Sequence, residues 1–201
     1  MKNIKILSFF LFSVIACQAQ SPIISMVDYE NKNNLELTEN YYLKDVESKF
    51  APFVGTWKWT QSNSELTIII EKLEMVYDPH LNIYSDELVG KYKYVENGNE
   101  IINTLNYIVT VNTMWNGAYV PFYDTGYYSN TEIRFSFNDY EKEKRGNAKM
   151  KLINVLNNPD GSIIVNQAKW SLWEEERLII NGQPVIQPGF SIPTEVTLTK
   201  Q

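Results

Sequence analysis

The chain has 201 residues, 18 of them basic against 24 acidic, with one histidine and one cysteine and a net charge of −6. That acidic balance argues against a nucleic-acid partner, whose phosphates demand a basic surface. One histidine cannot build a histidine-based metal cluster and one cysteine cannot form an internal disulfide, so no cofactor is expected.

Lys2 and Lys5 precede an apolar run from Ile6 to Ala16, interrupted only by Ser8 and Ser13. A bilayer needs roughly 20 apolar residues, so this run reads as a secretory signal over residues 1–16. It ends on Val14-Ile15-Ala16-Cys17, which resembles a bacterial lipobox. The resemblance implies acylation of Cys17 as the new N-terminus, leaving the chain lipid-anchored in the outer membrane. The alternative is cleavage after Ala19, with Cys17 and Ala19 as the small flanking residues, giving a soluble secreted or periplasmic product. Loss of residues 1–16 removes Lys2 and Lys5 and no acid, which takes the net charge to −8. Membrane attachment is then expected only through the lipid. Many surface-exported lipoproteins of the Bacteroidetes group carry an acidic run after the cysteine; Gln18–Ile24 has none, which points to the periplasmic side.

Residues 17–45 read as a polar tether, and about 180 mature residues suffice for one core-bearing domain, placed at 46–201. Tyr41 to Phe50 fits a short helical turn, stopped at Ala51 by Pro52. From Phe53 the pattern is β. Leu66, Ile68 and Ile70 alternate with Thr67, Ile69 and Glu71; Leu88, Gly90, Tyr92 and Tyr94 alternate with Val89, Lys91 and Lys93. The same period of two recurs through Thr131–Phe137, Ala148–Leu152, Ala168–Leu172 and Val196–Leu198. Asn97-Gly98 and Asn181-Gly182 suit two-residue hairpins, and Asn158-Pro159-Asp160-Gly161 suits a type I turn. The expected fold class is all-β, an antiparallel up-and-down meander of about eight strands. A closed lipocalin-like barrel removes its edges; a two-sheet sandwich is the alternative.

Phe53-Val54-Gly55-Thr56-Trp57-Lys58 resembles the entry strand of lipocalins and fatty-acid-binding proteins, which implies an indole plugging the closed end of a barrel. Four stretches resemble an uncharacterised family of small exported Bacteroidetes proteins, catalogued as a domain of unknown function (family 6705). They are Gly55–Lys58, Leu88–Gly98 with Ile102–Leu105, Ile180–Pro184 and Ile192–Gln201. This resemblance implies a fold and an exported location, and no activity.

Chemistry-bearing groups are sparse. His80 follows Pro79 in a polar turn and reads as a solvated loop residue. Glu174-Glu175-Glu176 is the densest carboxylate cluster; on a strand Glu174 and Glu176 would stand roughly 6–7 Å apart. That separation approaches the lower limit for an inverting sugar hydrolase, but a solvated strand end is the simpler reading, so no catalytic residue is assigned. Asn106–Asn130 carries seven aromatic residues and Asp124 as its one charge. Beyond Val111 it reads as a long aromatic loop, either a cap on the barrel or a lid. The expected function is therefore a non-enzymatic envelope protein. Its barrel would hold a small apolar, aromatic or glycan ligand among Trp57, Tyr92, Tyr94, Phe135 and Trp170. The lid would be Trp115, Tyr119, Phe122, Tyr123, Tyr127 and Tyr128. The alternative is a solid barrel serving as a structural or protein-interaction module.

Overall fold

The computed structural model describes residues 21–31, 41–114, 120–158, 163–174 and 188–201. Eight strands close an antiparallel barrel in the order β5 (Ile83–Glu96), β4 (Ser64–Asp78), β3 (Gly55–Gln61), β13 (Glu195–Lys200), β12 (Gln167–Glu174), β9 (Lys144–Ile153), β8 (Glu132–Asp139) and β7 (Phe122–Tyr128). The ring closes where β7 returns to β5 through Val89↔Tyr123 and Gly90↔Phe122. The barrel alternative is therefore the observed one. Signal peptide, Cys17, Asn181-Gly182 and most of the Asn158–Gly161 turn lie outside the described residues.

The alternating runs form strands because each can bury one face and solvate the other. Leu66, Ile68 and Ile70 on β4 meet Tyr94, Tyr92 and Gly90 on β5, and all are buried. Asn97 and Gly98, with φ of 51° and 84°, make the tight turn into β6 (Asn99–Asn103) that their sequence predicts.

Two stretches differ from expectation. Part of the segment read as a tether is ordered on the sheet: β1 (Ile23–Ser25) pairs with β2 (Tyr42–Lys44), and β2 with β5. The helix α1 (Met26–Asn31) follows β1 directly. Tyr41–Phe50 is accordingly a strand followed by turns rather than a helical turn. Parallel pairing on both sides of β2, with the Tyr42 hydroxyl donating to Asp86, outweighs local helical preference there. The second difference is β7, which occupies ground read as loop.

The lower edge of β5 is shared by three partners: β2 at Tyr84 and Ser85, β7 at Val89 and Gly90, and β6 from Lys93 to Glu96. A small hairpin, β10 (Leu156–Asn157) with β11 (Ile163–Ile164), projects from the β9–β12 connection. Among the described residues no helix is long and apolar enough to cross a membrane.

Candidate functional site

The five candidate lining residues all belong to the barrel's main core cluster. Trp57, Tyr92 and Phe135 have no exposed surface, Trp170 has 1% and Tyr94 6%. A guest needs free ring surface to touch, and three of the five rings have none. Phe122 lies 5.1 Å from Phe135 and 5.5 Å from Trp170, both edge-on, and Phe137 lies 4.9 Å from Tyr92. Edge-to-face packing at these separations is the favoured aromatic geometry. Phe190 closes over Phe137 at 5.9 Å.

Two glycines make this density possible. A Cβ at Gly90 would stand 1.8 Å from Phe122 Cζ, and one at Gly146 would stand 2.4 Å from Phe190 Cζ. Both rings therefore lie directly on backbone. At the opposite end Trp57 Nε1 donates to the Phe53 carbonyl at 2.8 Å, and the Lys200 ammonium sits 5.2 Å from the indole centre. Trp57 is fully buried there as part of the core. Tyr92 donates its hydroxyl to the Asn138 carbonyl at 2.7 Å, and burial pushes its phenol far above the ordinary range. Trp170 Nε1 is buried with no acceptor among the described residues.

The candidate lid is dispersed. Phe122 is a fully buried core residue of β7, and Tyr123 packs outside the wall. Tyr127 and Tyr128 belong to β7 as well, whereas Trp115 and Tyr119 lie outside the described residues. Upstream of β7, Val109, Met114 and Val120 join Val76 and Val89 in a second small core on the outer surface of β4 and β5. The segment thus covers wall as well as barrel end, where Tyr107 meets Tyr140 at 5.5 Å.

Glu174 ends β12, exposed, accepting from Lys144 Nζ at 2.7 Å and from the Gly189 amide at 2.9 Å. The Lys144 ammonium holds its carboxyl below the usual range, the reverse of what a general acid requires. Glu175 and Glu176 lie outside the described residues. His80 is exposed, its amide donating to Asp78 at 2.7 Å.

Two polar clusters are invisible to periodicity. At the β2–β5 junction, fully buried Asp86 accepts from the Tyr42 hydroxyl, from the Asp45 amide at 3.0 Å and from Lys72 Nζ at 2.9 Å. Burial opposes its ionisation, yet the bonds from Tyr42 and Lys72 hold its carboxyl below the ordinary value. This clamps the N-terminal strands to a bulge between Leu73 and Val76. At the β5–β7 seam, Asp124 accepts from the Leu88 and Gly126 amides. Burial and the Asp124 carboxylate push the neighbouring Glu87 up to about 9, and burial raises Asp124 also.

A third arrangement lies on the outer wall. Register places Arg134 beside Lys149, and Lys151 beside Lys169, across β8, β9 and β12. Each was legible as an outward, polar position; their adjacency needed the strand order. Among the described residues no group of three or more histidine, cysteine or acidic side chains is arranged to hold a metal ion.

The chain belongs to a family of unknown function (DUF6705), matched over residues 1–201. No curated protein and no solved structure matches it. Membership brings no assigned residue, so the site has to be argued from the geometry above.

Proposed function

We propose that this protein is a non-enzymatic component of the cell envelope, built as a solid barrel that makes its contacts through its outer surface. One observation carries the reading: the side chains best suited to line a cavity have 0–6% of their surface exposed and fill the barrel themselves. Small-molecule pockets typically enclose roughly 300–1,000 Å³, and a guest of that size would have to displace Phe122 and Trp170. Export rests on the charged start, short apolar run and Cys17 motif, and acylation of Cys17 would tether the barrel to the outer membrane on its periplasmic side.

The rival reading, an apolar guest inside the barrel, is favoured by one observation, the unpartnered Trp170 Nε1. Native mass spectrometry of the chain after export and processing by its host separates the two. The bare processed mass is expected, carrying the covalent increment of a lipid on Cys17. A reproducible extra mass that disappears on denaturation would establish the guest-binding barrel instead.

A further inference from the structure

We propose that the outer face of β8, β9 and β12 is a docking surface for an acidic polysaccharide. The proposal rests on the reading that contacts are made by the outer wall, and it names the partner class.

The chain is acidic as a whole, yet this wall is not. Arg134 on β8, Arg145, Lys149 and Lys151 on β9 and Lys169 on β12 occupy its outward positions, against Glu132 on β8 and Glu195 on the adjoining β13. Glu132 lies 4.0 Å from both Arg134 and Lys149. Lys151 faces Glu132 on one side and Lys169 on the other in register, both lysines exposed, and among the described residues no carboxylate stands opposite Lys169. Like charges in that relation destabilise a sheet. Glu132 offsets this at Lys151 but not at Lys169, and a local rule broken at the surface is a mark of function.

The same face offers more than charge. Trp173 keeps 39% of its surface exposed, two positions beyond Ser171 and opposite Asn147. Asn147 in turn stands opposite Ser136. An indole face beside hydroxyl and amide groups suits a sugar ring, which presents C–H bonds on its faces and hydroxyls at its rim. Neighbouring strands lie ~4.8 Å apart and same-face residues ~6.8 Å apart along a strand. Arg134, Lys149, Lys151 and Lys169 therefore step across three strands, with Glu132 beside Lys151 and Ser171 beside Lys149, a cationic diagonal fit to meet the repeated carboxylates or sulfates of a polymer. Such contacts are screened by salt.

The orientation selects a glycan over a lipid surface. The N-terminal strands attach at β5, and β12, β9 and β8 stand four, three and two places from β5 around the eight-strand ring, which puts the three central lysines on its far side. The basic wall thus faces away from the side where an anchor on Cys17 would hold the chain.

Affinity electrophoresis of the full exported chain tests this, in gels containing alginate, dextran sulfate or neutral dextran. Retardation by the two acidic polymers, none by dextran, and loss of retardation at 0.5 M salt is the expected result. The double variant Lys151→Glu/Lys169→Glu should weaken retardation by alginate about tenfold or more, and Trp173→Ala several-fold. Should the double variant misfold, Lys169→Gln gives the same reading with less perturbation. No retardation of the unaltered chain, or equal retardation of the variants, overturns the proposal. So does binding to anionic phospholipid vesicles with none to alginate, which would assign the face to a membrane. A guest found inside the barrel would overturn the solid-scaffold reading while leaving the glycan result intact.

Discussion

Gly90 shows how strongly one position can constrain this core. Its missing side chain is the space occupied by the Phe122 ring, and the same contact lies on the two-pair seam that closes the barrel. Gly90→Ala should destabilise the protein by about 3 kcal/mol, the upper range for overpacking a filled interior. Denaturant midpoints would measure it. Coupling with Phe122→Leu, which shortens the offending group, should return part of the loss; a Gly90→Ala variant as stable as the parent would mean the ring is free to retreat.

At the scale of elements, the seam between β5 and β7 is held by few ladder pairs and by Asp124, which accepts the Leu88 amide beside Glu87. Both acids have raised pKa values in the fold. A carboxyl raised by folding keeps its proton while the unfolded chain loses it, so stability is greatest below the unfolded value and declines as pH climbs towards the folded one. For Glu87 that window runs from its ordinary 4.5 to about 9. Glu87→Gln cannot ionise and retains a donor for Asp124. It should flatten the decline, melting a few degrees above the parent at pH 8 and close to it at pH 4. An unchanged difference between the two pH values would remove the pair from the seam's energetics.

The same strand marks the limit of what could be read in advance. Strands such as β8, β9 and β12 are legible because Ile133, Phe135 and Phe137, or Ala168, Trp170 and Leu172, recur at every second position with polar partners between. In β7 the corresponding positions after Phe122 are Asp124 and Gly126, a buried acid and a left-handed glycine, so the period breaks just where the strand does specialised bonding. β1 and β2 are three residues each, too short for periodicity to register. The Asp86–Lys72–Tyr42 clamp joins residues far apart in sequence, and pattern within a strand carries no information about it. The candidate lining residues are buried in the barrel; whether such inward-facing rings enclose space or fill it depends on Gly90 and Gly146, whose role appears only in three dimensions.

Across the whole molecule, cross-strand surface charges such as Lys91–Glu71 and Lys93–Glu100 are opposite in sign, whereas Lys151 and Lys169 stand side by side. Lys169→Glu turns a like-charge pair with Lys151 into an opposite-charge one, worth about 0.2–1 kcal/mol for cross-strand neighbours. In a domain of this size the melting temperature should rise by about 1–3 °C, read by calorimetry at low salt. The same substitution is expected to weaken binding of an acidic glycan, so stability and binding move in opposite directions. A fall in melting temperature would show that the paired lysines are supported by neighbours and are not a tolerated strain.

The position of β13 has a consequence for how the protein comes into being. Its partners are β12 and β3, and the Trp57↔Lys200 pairing joins positions roughly 140 residues apart. The Gln201 amide further donates to the Thr56 carbonyl. A chain synthesised from its N-terminal end therefore emerges with β3 lacking its neighbour until almost everything else has been made. Until then both β3 and β12 present open hydrogen-bonding edges to whatever is nearby, and a pairing so distant in sequence is slow to form. Assembly of this barrel is paced by its latest strand, and until that strand pairs the newborn chain is open to wrong partners along two edges at once.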